Sequence, residues 1–255
     1  MMRRVLLLGM LAVSVPAAAF NLDDLKSRLN ELKQPAAASN TSASNPAGLA
    51  QFSAQEQTDS LKQALTQGAE TAVRNLAKEN GYLGNDKVRI PLPENLQKAD
   101  RTMRRFGLGK YSDELITSMN RAAEAAVPEA RTLLIGAVKN MTVTDAKDIL
   151  LGNDDAATQY FRRNTETALG EKFKPIVNQS MQKVSLAQTY DRFAGKGVQL
   201  GLVKQQDANL DDYITRKALD GLFLMMAEQE KEIRAHPLQA VGDLAKKVFS
   251  ALRGQ

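Results

Sequence analysis

The sequence predicts a mainly α protein, an irregular bundle of about eight or nine short to medium helices with at most one short β element. Three observations carry this. Apolar residues recur at spacings of three and four through most of the chain. Start and stop signals for helices repeat from Ser53 to the C-terminus. Residues 218–227, "ALDGLFLMMA", are apolar on every side except Asp220, and a helix of that kind belongs at the centre of a bundle, surrounded by protein.

The N-terminus reads as a targeting segment. Arg3 and Arg4 precede an unbroken apolar run, Val5 to Val13, and Ala17-Ala18-Ala19 offers the small residues that a signal peptidase reads. A signal peptide over residues 1–19 is expected, with cleavage near Ala19 and a periplasmic or secreted destination. The run is shorter than the roughly 18 residues a membrane-spanning helix needs, and no later stretch reaches that length without charges. In residues 20–33, Leu22, Leu25, Leu29 and Leu32 fall on one side of a short amphipathic helix, which could dock on a partner or a membrane surface, or fold back on its own domain. Residues 34–52 read as a flexible linker, since "QPAAASNTSASNPAG" offers no large apolar anchor. A single helical domain is expected over residues 53–252.

Within that domain, Ser53-Ala54-Gln55-Glu56 is a capping box that opens a helix with Leu61, Leu65, Ala69, Ala72 and Leu76 on its buried face, and Asn80-Gly81 ends it. Val88, Ile90 and Leu92 alternate with Lys87, Arg89 and Pro91, an extended segment or short edge strand. Pro93 suits a first helical turn, Arg104 and Arg105 a last one, and Gly107 a stop; Leu96, Ala99, Met103 and Phe106 form the expected buried face. Ser112 is read as the cap of the next helix, Pro128 as a kink or fresh start, and Thr144-Asp145 as opening a short helix that stops at Gly152. Asn153-Asp154-Asp155 opens another, Thr165-Glu166 a further one, and Pro175 restarts the chain. Residues 191–201 are ambiguous, and the glycines of 195–201 suggest a loop without the context of a phosphate-binding one.

Four blocks closely resemble a known family: "ALTQGAETAVRNLAKENGYLGNDKVRIPLPENL", "VPEARTLLIGAVKNMTVTDAKDIL", "AATQYFRRNTETAL" and "YITRKALDGLFLMMAEQEKEIRAHP". The family comprises exported Gram-negative bacterial proteins known only as domain of unknown function four-one-nine-seven. The resemblance spans residues 53–252 and implies a mostly helical domain outside the cytoplasm. It implies no activity and no site residue.

The side chains limit the chemistry. A Ser-His-Asp or Cys-His centre needs an imidazole beside its nucleophile, and the chain has one histidine, His236, and no cysteine. His236 precedes Pro237 at a helix end, where an imidazolium suits the negative end of the dipole. Zinc and iron sites built on His and Cys fail on the same count, and no cofactor is implied. "DANLDD", residues 207–212, starts like a calcium loop, but Asp212 stands where the turn glycine belongs and Ala218 where the bidentate glutamate does. Asp220, desolvated in its apolar run, is the carboxylate most apt to be perturbed, with Arg216 one turn earlier as its expected partner. The charge argues against nucleic acid: 34 basic residues against 29 acidic give +5, and 32 against 29 without Arg3 and Arg4 give +3.

What remains is a cationic surface. In residues 90–111, Lys98 follows Glu94 by four and Arg104 follows Asp100 by four, which accounts for two cations as helical ion pairs. Arg101 and Arg105 are left over, adjacent on one helical face, with Lys110 just beyond the turn. Either they form a solvated face, or they bind an anionic group, with Met225 and Met226 lining an apolar pocket behind them or simply filling the core. The reading the sequence supports is a non-enzymatic periplasmic binding or interaction protein that uses Arg101, Arg105 and Lys110 to hold an anionic or lipid-like group or a protein partner. The competing reading is a carboxylate-dependent hydrolase of a cell-envelope component that uses Asp220.

Overall fold

In a computed structural model of the chain, the described residues are 46–183, 185–200, 210–240 and 242–254, all within the unit Thr41–Gln255. Residues 1–45 lie outside them, so the expected signal segment, the expected helix bearing Leu22 to Leu32 and most of the expected linker do too.

Nine helices carry the fold among the described residues: α1 (Ala54–Leu76), α2 (Glu94–Arg105), α3 (Gly109–Ala126), α4 (Ala130–Lys139), α5 (Val143–Leu151), α6 (Ala156–Lys183), α7 (Leu186–Gln199), α8 (Leu210–Ala235) and α9 (Asp243–Leu252). Short 3₁₀ turns at Val127–Glu129 and Pro237–Gln239 join α3 to α4 and follow α8. No described residue forms a strand. The α8 helix packs along α6 and α1 and touches α3; α3 in turn lies against α6 and α7, while α1 holds α4, α5 and α9.

The α1 capping box forms as its sequence demands: the Glu56 amide donates to Ser53 Oγ and the Glu56 carboxylate accepts from the Ser53 amide. That pairing holds the Glu56 carboxyl below its ordinary range. A second box, Thr142 with Asp145, opens α5 two residues before the start read from sequence. All five residues assigned to the inner face of α1 are buried.

Several expectations are corrected. Residues 46–52 are docked rather than loose: Pro46–Leu49 form one helical turn, Leu49 is buried, and Gly48 passes so close to α9 that an added Cβ would sit 2.1 Å from the Ala251 carbonyl oxygen. Asn80, not Gly81, takes the left-handed conformation after α1. Ser112 lies buried inside α3 instead of capping it. The Thr165 and Pro175 starts are absent because α6 runs unbroken through both; Pro175 sits on the exposed side, where water can take the freed Glu171 carbonyl, while Phe173 and Val177 keep the inner side in the core. Residues 195–199, read as loop, continue α7.

Residues 88–92, expected as an extended segment or edge strand, form no strand: Val88 ends a turn in which its amide and that of Arg89 donate to the Asn85 carbonyl, and side chains serve the residues that follow. Asn120 of α3 donates to the Ile90 carbonyl at 2.9 Å and accepts from the Ile90 amide at 2.8 Å. Tyr213 donates to the Pro91 carbonyl, and Gln97 to that of Leu92. Buried backbone groups require partners, and these substitute for a ladder. Just before this segment, the buried Glu124 carboxylate accepts from the Tyr82 and Leu83 amides, both at 3.0 Å, and pairs with Arg121. Burial beside Glu124 pushes the Tyr82 phenol up, and its hydroxyl donates to the Ala218 carbonyl of α8.

Candidate functional site

The corner between α2 and α3 is built by a reversed turn. The Gly107 amide donates to the Arg104 carbonyl and the Leu108 amide to that of Met103, with Gly107 at φ +71°. These two bonds close a Schellman motif, which requires a left-handed residue where only glycine is unstrained. The motif also brings Leu108 back toward Met103 and the core.

Arg104 locks this corner. Its Nε lies 2.8 Å from Asp100 on its own helix, and its terminal nitrogen lies 2.5 Å from Asp113 on α3. Asp113 and then Asp100 hold the guanidinium charged. Arg104 is therefore spent on structure.

Arg101, Arg105 and Lys110 stay exposed, and none forms an ion pair with a described residue. The Lys110 ammonium lies 5.0 Å from the centroid of the neighbouring Tyr111 ring. Phe106, assigned from spacing to the buried face, is instead 67% exposed. The helix ends at Arg105, so Phe106 falls where the turn reverses, and Leu108 takes the inner place that continued periodicity would have given it. Sequence reasoning missed this aromatic; the only signal for it was the glycine one residue later. The structure thus sets one large exposed apolar side chain among three cations that no described acid neutralises.

The other expected site elements do not join this surface. Met225 and Met226 are buried in α8, and the small cavity that Met226 borders is formed by α1, α6 and α8 with no residue of α2. Asp220 is corrected in both partner and environment. Its side chain is 44% exposed, and it pairs at 3.3 Å with Arg162 of α6, which also binds Glu166 and covers the Phe223 ring. The expected partner, Arg216, lies over Tyr213. Asp220 and Leu224 share an outward strip of α8, so the "ALDGLFLMMA" stretch is not enclosed on every side.

His236 sits beyond the end of α8, 3.5 Å from Glu232. Asp211 and Asp212 lie in the first turn of α8, where acids suit the dipole, and Asp212 pairs with Lys174. Residues 207–209 of the calcium-like stretch lie outside the described residues.

A family profile described as "Protein of unknown function (DUF4197)" matches residues 51–250. The chain belongs to the DUF4197 family. No curated protein and no solved structure matches it. The matched span runs from Gln51, just before the α1 capping box, to Ser250 in α9, so the DUF4197 region takes in α1 to α8 and all but the last two residues of α9.

Proposed function

We propose that this DUF4197 protein is a non-enzymatic binding protein, exported to the periplasm or beyond, that attaches through Arg101, Arg105, Lys110 and Phe106 to an anionic lipid surface. The observation that carries this reading is the exposure of Phe106 among cations left without acidic partners. An aromatic ring that can enter the headgroup region, flanked by basic side chains that meet acidic headgroups, suits a lipid interface better than solvent. Export is supported by the Arg3-Arg4, apolar run and Ala17–Ala19 pattern.

The magnitudes set the kind of attachment. Each basic residue near an anionic leaflet contributes about 1 kcal/mol, and burying a phenylalanine about 1.5–3 kcal/mol. A sum of about 4.5–6 kcal/mol corresponds to dissociation constants of about 0.5 mM to 40 μM, which is reversible docking rather than anchoring. No described helix is long and apolar enough to cross a membrane.

The test is co-sedimentation with vesicles. Binding to phosphatidylglycerol-containing vesicles is expected, with little binding to pure phosphatidylcholine, and a steep loss between low and high salt. Arg101→Glu with Arg105→Glu should abolish it while thermal stability stays within about 1 kcal/mol. Equal binding to neutral vesicles, or capture of acidic peptides with no vesicle binding, would overturn the lipid reading. The hydrolase reading has no specific observation in its favour, since Asp220 is half-exposed and engaged with Arg162.

A further inference from the structure

A second surface shares no residue with the α2–α3 corner. Between α1 and α4 runs an open groove of about 540 Å³, bordered by Lys62, Thr66 and Arg74 on α1 and by Ile135, Val138 and Lys139 on α4. Its long wall runs along α1 from Lys62 to Arg74, and α4 faces it over Ile135–Lys139.

The lining is mostly carbon: Ile135, Val138, the Thr66 methyl and the stems of the long polar side chains. Its charge is one-sided. Lys62 donates to the Lys139 carbonyl at 3.0 Å, which places its ammonium at the C-terminal end of α4, close to where Lys139 itself leaves the helix. Lys62, Lys139 and Arg74 pair with no acid among the described residues, and the acid on the groove wall, Glu70, is taken by Arg131.

We infer that this groove is a binding site for a single-chain anionic amphiphile, a fatty acid or a one-chain phospholipid, with its acidic head at Lys62 and Lys139 and its alkyl chain along Thr66 and Ile135. Charge and lining choose the occupant: a carboxylate or phosphate answers Lys62 and Lys139, and an alkyl chain answers the carbon-rich wall. The volume lies within the roughly 300–1,000 Å³ of small-molecule sites. Lys62 spends one of its three protons on the Lys139 carbonyl and keeps two for the head group.

The experiment is titration calorimetry with dodecanoate below its micelle concentration, with octanoate and dodecyltrimethylammonium as comparisons. Dodecanoate is expected to bind at least ten-fold tighter than either. Lys139→Glu should weaken it at least five-fold, and Thr66→Trp, which fills the groove, should abolish it. Ile135→Trp fills the same groove from α4 and serves if the first variant fails to fold, as judged by circular dichroism. Arg101→Glu with Arg105→Glu should leave dodecanoate affinity unchanged, so failure here and failure at the α2–α3 corner are separable. Absence of dodecanoate binding, equal affinity for the cationic chain, or binding that survives both tryptophan variants would overturn the assignment.

Discussion

Glu230 and Arg234, one turn apart on α8, hold the facing ends of two consecutive helices. Glu230 accepts from the Ala157 and Thr158 amides at the start of α6, at 2.9 and 3.0 Å, while Arg234 donates to the Ile149 carbonyl, at 2.7 Å, and the Leu150 carbonyl at the end of α5. The two side chains also pair with each other at 3.0 Å. An anion thus meets a positive helix start and a cation a negative helix end. Because both groups are nearly enclosed, Glu230→Ala leaves Arg234 without a counter-charge and strips two amides of their acceptor. A loss of about 3–5 kcal/mol is expected in denaturant unfolding.

The same carboxylate gives a pH signature. Burial pushes Glu230 up, against the opposing pull of Arg234 and the two amides. A folded value above the unfolded one contributes stability that is fully present below the unfolded pKa, about 4.3, and is lost as pH rises through the folded value. Relative to Glu230→Gln, which does not titrate, the native protein should therefore fare better at pH 4 than at pH 7. Denaturation midpoints of the two proteins at both pH values check this.

The capping box of α5 has the opposite sign. Thr142 holds Asp145 below its ordinary range, so its contribution is present above the unfolded pKa, about 3.9, and fades as pH falls through the folded value. Thr142→Ala should cost about 1 kcal/mol at pH 7. Much of that difference should vanish at pH 2.5 in matched thermal melts, if both proteins still unfold cooperatively there.

Asn120 is expected to be intolerant of its closest relatives. Its amide both donates to and accepts from Ile90, and it donates to the Ile116 carbonyl as well. Asn120→Asp keeps an acceptor but removes both donations and places a charge where no solvent reaches. Asn120→Leu leaves the Ile90 amide and carbonyl without partners. Each orphaned group costs about 1–3 kcal/mol. Amide hydrogen exchange at Ile90 should accelerate sharply in the leucine variant; protection equal to that of the native protein would show that other contacts hold the segment.

Gly221 marks where α8 passes the Tyr82 ring. A Cβ there would lie 2.8 Å from Tyr82 Cε1 and 3.2 Å from Val88 Cβ. Alanine normally stabilises a helix interior by about 1 kcal/mol over glycine. Here Gly221→Ala should destabilise by about 1–3 kcal/mol, because the ring is fixed by its bond to Ala218 and cannot retreat. Thermal denaturation decides the sign.

What the sequence made legible was local. The Ser53 box, the Gly107 stop and the inner face of α1 follow from neighbours within a few positions, and each is where those neighbours require it. What it hid depended on partners far along the chain. Asp220 had an obvious cation at Arg216, yet Arg162, fifty-eight positions away, reaches it, and Tyr213 occupies Arg216. The proline at 175 reads as a break, but core contacts on either side of it hold α6 together. At the cationic corner, Arg101, Arg105 and Lys110 were visible from sequence, while Phe106 emerged only once the turn had reversed.

The Asn120 clasp on Ile90 has a consequence for self-association. A stretch with an alternating apolar pattern such as 88–92 is ordinarily a hazard, because free amides and carbonyls invite a strand from another molecule and so seed sheet growth. With both polar groups of Ile90, and the carbonyls of Pro91 and Leu92, already consumed by side chains of the bundle, the stretch offers an incoming strand little to zip onto.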